Sequence, residues 1–222
     1  MRATPAVLFL ATLLGVAIGT SCRSGAQDEE PLSPQDSIAT AREAAASFSG
    51  DVAPDAAARS YSYRELYAGM PRSVLEKRAP ADVNAGKMSC DDIPPSRAMP
   101  TPQRHCVYDA RFRRDDSAAH VEVTYAKEHG VEVAHEIIVS RDLPLDVDGL
   151  RLARALASAF EAQTSVLDRR DESFEGRTAH IRVGAMSSSR RQNFAEITVE
   201  QRAGRDRLTV RLSRSVAGVP GS

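Results

Sequence analysis

Residues 106–140 read CVYDARFRRDDSAAHVEVTYAKEHGVEVAHEIIVS, and apolar and polar residues alternate along three runs within them. CVYDARF (106–112), HVEVTY (120–125) and VAHEIIVS (133–140) each have the period of two that sends successive side chains to opposite faces of a strand. RRDDS and KEHG provide polar turns between them. Consecutive strands joined by short turns predict an antiparallel meander. Downstream, Asp146 is placed to cap a helix over 147–163, with Leu152, Leu156, Ala159, Phe160 and Gln163 on one side. Three more alternating runs follow: HIRVGAM, FAEITVE and RLTVRLS, with turns at SSSRR and AGRD.

Upstream the period changes. Ser33 is a good N-cap, Pro34 suits the first helical position and Asp36 adds negative charge to the first turn. Ile38, Ala41, Ala45 and Phe48 then predict a narrow apolar face, and Gly50 an end. APDAAARSYSYRELYAGMP predicts a second helix ending near Gly69, with Tyr63, Leu66, Tyr67 and Met70 on one face. The tyrosines of that segment read as packing residues. The expected organisation is a single α+β domain over 33–216. It comprises a helical part (33–78), a proline-rich loop (79–104) and a βββ-α-βββ unit (105–216) with one sheet face covered by helices. A disordered tail is expected at 217–222.

A shift of sixty positions lays the first strand pair on the second. Ala119, His120, Val123, Glu136, Ile137 and Val139 fall on Ala179, His180, Val183, Glu196, Ile197 and Val199. This echo is consistent with a duplicated strand unit.

Alternation also sorts the faces. Val121 and Val123, Ile181 and Val183, Ile197 and Val199, and Leu208, Val210 and Leu212 form the apolar set. The opposite set supplies a candidate interaction face of His120, Glu122, Glu136, His180, Arg182 and Glu196. Hairpins symmetric about Glu128 and Ser188 would place His120 opposite Glu136 and His180 opposite Glu196. Zinc needs three or four converging ligands, and no compact HxH or HxxxH spacing provides them, so no metal site is expected. His135 is in phase with Val133 and Ile137 and reads as a hydrogen-bonded histidine at the core edge. DVDG at 146–149 fails as a calcium loop because Leu150 and Ala157 stand where oxygen ligands are required. No GxSxG, Walker-type loop, dinucleotide fingerprint or HExxH occurs, so neither catalytic residues nor a cofactor is expected.

The 222-residue chain is 42% hydrophobic and 27% charged, which excludes a wholly disordered chain, a collagen and a multi-span membrane protein. A net charge of −1 offers nucleic acid no electrostatic footprint.

The N-terminus has one basic residue, Arg2, and an apolar stretch from Ala6 to Ile18. That stretch is too short to span a bilayer core of about 30 Å, but suits the h-region of a secretory signal over 1–21. Gly19, Thr20 and Ser21 then lead to Cys22. This arrangement resembles a bacterial lipoprotein signal, in which the cysteine becomes the lipid-modified first residue of the mature chain. The resemblance implies a membrane anchor on Cys22. With Arg23 rather than Asp next in line, it implies the outer membrane. Ordinary signal-peptidase cleavage after Gly19 is the alternative. Residues 22–32 are polar and lack periodicity, as expected of a flexible tether. Removal of 1–21 deletes only Arg2, leaving 28 basic and 30 acidic side chains, a balance of −2.

Export places the chain where disulfides persist. With Cys22 assigned to lipid, Cys90 and Cys106 remain, and a disulfide between them would staple a loop containing Pro94, Pro95, Pro100 and Pro102. The expectation is therefore an exported, non-catalytic envelope lipoprotein with a structural or protein-interaction role and an envelope protein as partner. The alternatives are a periplasmic hydrolase with a site assembled from scattered residues, and a soluble periplasmic binding or inhibitor module.

Overall fold

Two rows of apolar side chains run across the sheet and organise the molecule. In the computed structural model, residues 34–48, 61–77, 83–95, 102–113, 116–163, 169–184 and 193–214 are described. Cys22, the expected signal, tether and C-terminal tail, and the proposed cap Ser33 lie outside them. The elements in chain order are α1 (Pro34–Phe48), β1 (Ser62–Tyr63), β2 (Leu66–Tyr67), α2 (Arg72–Lys77), β3 (Val83–Ala85), β4 (Ser89–Ile93) and β5 (Gln103–Phe112). There follow β6 (Ala118–Glu128), β7 (Val131–Asp142), α3 (Gly149–Gln163), β8 (Arg169–Glu175), β9 (Thr178–Gly184), β10 (Phe194–Glu200) and β11 (Arg207–Ser213).

The class is α+β with antiparallel pairing throughout. The order across the sheet is β3–β5–β6–β7–β11–β10–β9–β8, with β4 also pairing β5. The two meanders therefore meet through their last strands, β7 and β11. One row runs Tyr108–Val121–Val139–Val210–Ile197–Ile181, and a second runs Cys106–Val123–Ile137–Leu212–Ala195–Val183. All twelve side chains are buried.

Leu152, Ala153, Leu156, Ala157 and Phe160 of α3 join this core, and α3 contacts β9, β10 and β11. Burial of these side chains stabilises the fold by roughly 1.5–3 kcal/mol for each large one. Asp148, not Asp146, caps α3: its Oδ1 accepts a bond from the Arg151 N–H at 2.8 Å. Gly149 is tightly enclosed, since a Cβ there would lie 2.6 Å from Asp206 Oδ2 and 2.8 Å from Val199 Cγ1.

The carboxyl of Asp206 is raised above its ordinary range by partial burial and by the neighbouring Asp148 charge, opposed by the N–H bond from Gly149. A raised acid favours the folded state below its unfolded value, and that contribution is lost as pH rises through the folded pKa. Asp206→Asn should therefore equal the wild type in thermal melts at pH 3 and melt at or above it at pH 7. The gain should stay under about 1 kcal/mol because solvent screens the site. A gain confined to acid would contradict this.

Four further expectations need correction. The strand count around α3 is larger than βββ-α-βββ, because β8 precedes the second meander. RRDESFE lacks alternation, and its pairing with β9 supplies what pattern does not. The proline-rich segment 79–104 contains β3 and β4, because its prolines flank β4 rather than interrupt it.

Over its described residues 61–71 the expected second helix, whose part before residue 61 lies outside the described residues, is instead a β1–β2 hairpin followed by the short α2. Its turn residues Arg64 and Glu65 have φ of 52° and 64°, a left-handed conformation that helical propensity does not anticipate. Tertiary contacts impose it: Tyr63 and Leu66 are fully buried, and Arg64 N–H donates to Ser47 O at 2.8 Å.

The α1 helix is inverted relative to its predicted face. Ile38 is 60% exposed and Ala41 and Ala45 face solvent, while Thr40, Glu43 and Ser47 are buried. The pull on that side is electrostatic. Glu43 pairs with Arg64 at 2.6 Å and with Arg141, whose Nε donates to Tyr63 Oη at 3.1 Å. The Arg64 and Arg141 side chains are 0% and 1% exposed, so this is a buried ionic network joining α1, the hairpin and β7. Burial opposes the Arg141 charge, but Tyr63 and Glu43 raise its pKa.

The sixty-residue echo maps β6–β7 onto β9–β10. In the sheet these pairs flank β11 in mirror order, so the echo does not place them side by side.

Candidate functional site: the polar sheet face

The side chains between the apolar rows point to the other face. One row runs Asp109–His120–Ser140–Thr209–Thr198–His180, and the next runs Glu122–Ile138–Arg211–Glu196–Arg182–Asp171. The β pleat alone produces this segregation, because neighbouring residues on a strand alternate faces in register with their partners. All six residues read as an interaction face, His120, Glu122, Glu136, His180, Arg182 and Glu196, do lie on this side.

Their pairing differs from the symmetric hairpins. His120 is opposite Ser140, Glu136 opposite Thr124, His180 opposite Thr198, and Glu196 opposite Arg182. In the first hairpin the turn is His129-Gly130, with φ of 49° and 83°, a two-residue turn with both positions left-handed. It centres the hairpin beyond Glu128. A bulge between Thr124 and Tyr125 then adds one further residue on β7. His135 is that extra residue, so it is not in phase with Ile137; Ala134 takes the inward place. Its Nδ1 lies 2.7 Å from Arg214 O.

The face is knitted by polar contacts. Arg211 reaches Glu136 at 2.6 Å and Glu196 at 3.5 Å, and Arg182 lies 3.9 Å from Glu196. Both guanidinium groups stack on the Phe194 ring, at 4.5 Å for Arg182 and 5.6 Å for Arg211. On the other meander His120 Nδ1 is 3.1 Å from Asp109 Oδ1. The Glu122 carboxylate lies between His120 Nε2 at 3.9 Å and His105 Nε2 at 3.6 Å. Ser140 and Thr209 share a hydrogen bond at 3.1 Å, and Thr198 Oγ1 is 3.3 Å from His180 Nδ1.

His105, Asp109 and Phe194 were missed as members of this face. Their position in alternating strands carries the signal, but only the strand order brings Arg211 between Glu136 and Glu196.

The geometry restricts chemistry. His120 and His180 share a row but stand four strand spacings apart, about 19 Å at 4.8 Å per strand. They cannot act on one reacting atom, and His135 has its own partner across the sheet. Among the described residues no three His, Cys, Asp or Glu are placed to hold a metal ion. No helix among them is long and apolar enough to cross a membrane. An open cleft of about 630 Å³ lies at one end of the face, where β6 and β7 part beyond the His120–Ser140 pair. Its rim mixes Asp109 and Asp142 with Arg111 and Arg207.

Cys90 and Cys106 form a disulfide and are direct cross-strand partners on β4 and β5.

Fold and face together define a class: an α+β body on one antiparallel sheet whose two faces differ sharply in polarity. Comparison with protein families, with curated proteins and with solved structures finds no match to this chain.

Proposed function

We propose that the chain is an exported bacterial envelope lipoprotein, anchored through an acylated Cys22, whose non-catalytic body binds another envelope protein. In this reading the helices and the hairpin cover one sheet face and leave the polar face free for the partner. The observation that carries it is the polar face itself, an array of charged, imidazole and hydroxyl side chains across six strands, interrupted by Ile138 and Phe194. Arginine and aromatic side chains such as Arg182, Arg211 and Phe194 are the types enriched where protein partners meet. The sequence from Met1 to Cys22 supports the export and anchoring parts.

The test is in vivo photo-crosslinking from position 209, at the centre of the face. A discrete adduct with one envelope protein is expected, and Arg211→Gln should abolish it while changing unfolding stability by less than about 1 kcal/mol. Recovery of free monomer alone, or an adduct indifferent to Arg211, would defeat the reading. Intact mass of membrane-extracted protein should show loss of residues 1–21 and acyl chains on Cys22.

A further inference from the structure

The edge strand β4 is held to the sheet in an unusual way. All five of its residues, Ser89–Ile93, are exposed, so it buries little apolar surface to keep it in place. The Cys90–Cys106 disulfide supplies the tether that packing does not. Among the described residues β4 pairs only with β5, leaving its outer backbone edge open.

Open edges are commonly blunted by charges pointing inward. At the opposite edge β8 has that protection: Arg170 and Glu172 occupy the inward row beside Val183 and Ile181, and Glu172 pairs with Arg154 at 3.0 Å. On β4, Asp92 points inward but is neutralised by Arg104 at 2.7 Å, which holds its carboxyl below the ordinary range. Ser89, Asp91 and Ile93 share the outward side by alternation. The Asp91 carboxylate has no partner among the described residues. Ile93 is 39% exposed, beside a cleft of about 370 Å³ at the end of the strand whose lining mixes Pro94 and Pro102 with the charged Asp92, Arg104, Lys127 and Glu132.

We propose that the free edge of β4 takes up an extended segment of another protein as an added strand. It would read a basic side chain beside Asp91 and, two residues along, an apolar side chain packing against the exposed Ile93. This names a contact within the protein-binding reading above and rests on it. In such recognition backbone bonds supply affinity, and pockets for alternate side chains supply specificity. A second copy of the chain is a poor occupant. Antiparallel pairing of two β4 strands about their midpoint sets Asp91 against Asp91, and like charges directly opposite are unfavourable.

The test uses the full chain extracted in detergent and a short fluorescent threonine peptide with one lysine and one valine two positions apart. Saturable binding is expected, lost when alternate backbone amides of the peptide are N-methylated. Asp91→Lys should weaken binding about fivefold, and a peptide with glutamate in place of lysine should regain it on that variant. Asp91 is exposed, so circular dichroism should show the variant folded. No binding, binding indifferent to N-methylation and to Asp91→Lys, or self-association through β4 would overturn the proposal. Peptide binding by a chain without acyl groups would uphold the edge and defeat the lipoprotein reading. Acylation on Cys22 with no peptide binding would do the reverse.

Discussion

Glu43→Leu should destabilise the protein by about 3–5 kcal/mol, the cost of removing one partner from a buried ion network. The substitution removes the carboxylate that pairs with both the Arg64 and the Arg141 guanidinium groups, whose side chains are 0% and 1% exposed. Against a total stability of about 5–15 kcal/mol, that is a large fraction. Urea unfolding of wild type and variant, with equal slopes, measures it. Removing the partners as well should offset the loss: Glu43→Leu combined with Arg64→Met and Arg141→Met should recover most of it. Apolar replacements of matched volume avoid the desolvation that the ions suffer. A loss under about 1 kcal/mol for Glu43→Leu alone would mean that solvent reaches the network.

The second large effect concerns the disulfide. Cys90→Ser with Cys106→Ala should cost about 3 kcal/mol, the chain-entropy value for a loop of about 15 residues. The loss should also be local. Because Ser89–Ile93 are all exposed, hydrogen exchange should rise along β4 first, while β6 and β7 at the centre keep their protection. Adding dithiothreitol to the wild type should reproduce both effects. Equal stability of the two proteins would show that β4 is held by its backbone pairing alone. The same variant bears on the added-strand proposal, since a detached β4 should no longer bind the peptide.

How much of this was legible depends on the kind of signal. Alternation in HVEVTY and FAEITVE states which side chains face the core, because the pleat forces it, and Val121, Val123, Ile197 and Val199 are buried as that pattern requires. Leu152, Leu156 and Phe160 of α3 were legible for the same reason, with a period of 3.6 in place of two, although Ala153 and Ala157 are buried where Ala159 and Gln163 were expected. The candidate face was legible as a set, since the complement of an apolar stripe is a polar one. Its pairings were not. They depend on whether a turn holds one residue more or fewer, and the left-handed His129-Gly130 turn and the bulge at His135 moved every partner in the first hairpin.

The α1 helix shows the limit most clearly. Ile38, Ala41 and Ala45 form its apolar side, yet Glu43 faces inward because two buried arginines, 21 and 98 positions away, lie there. No window of local sequence contains that information. The hairpin at Tyr63–Leu66 failed for a related reason: residues with fair helical propensity adopt left-handed angles because Arg64 is drawn to Glu43.

By itself, then, the amino-acid sequence determined the strand faces, the position of α3 and the α+β class. Each follows from short-range periodicity. Only the tertiary structure decided the strand order that joins β7 to β11, the register of the polar face and the inversion of α1. It also decided the exposure of β4. These depend on contacts between residues far apart in the chain, where burial and charge pairing outweigh the local preference of any one segment.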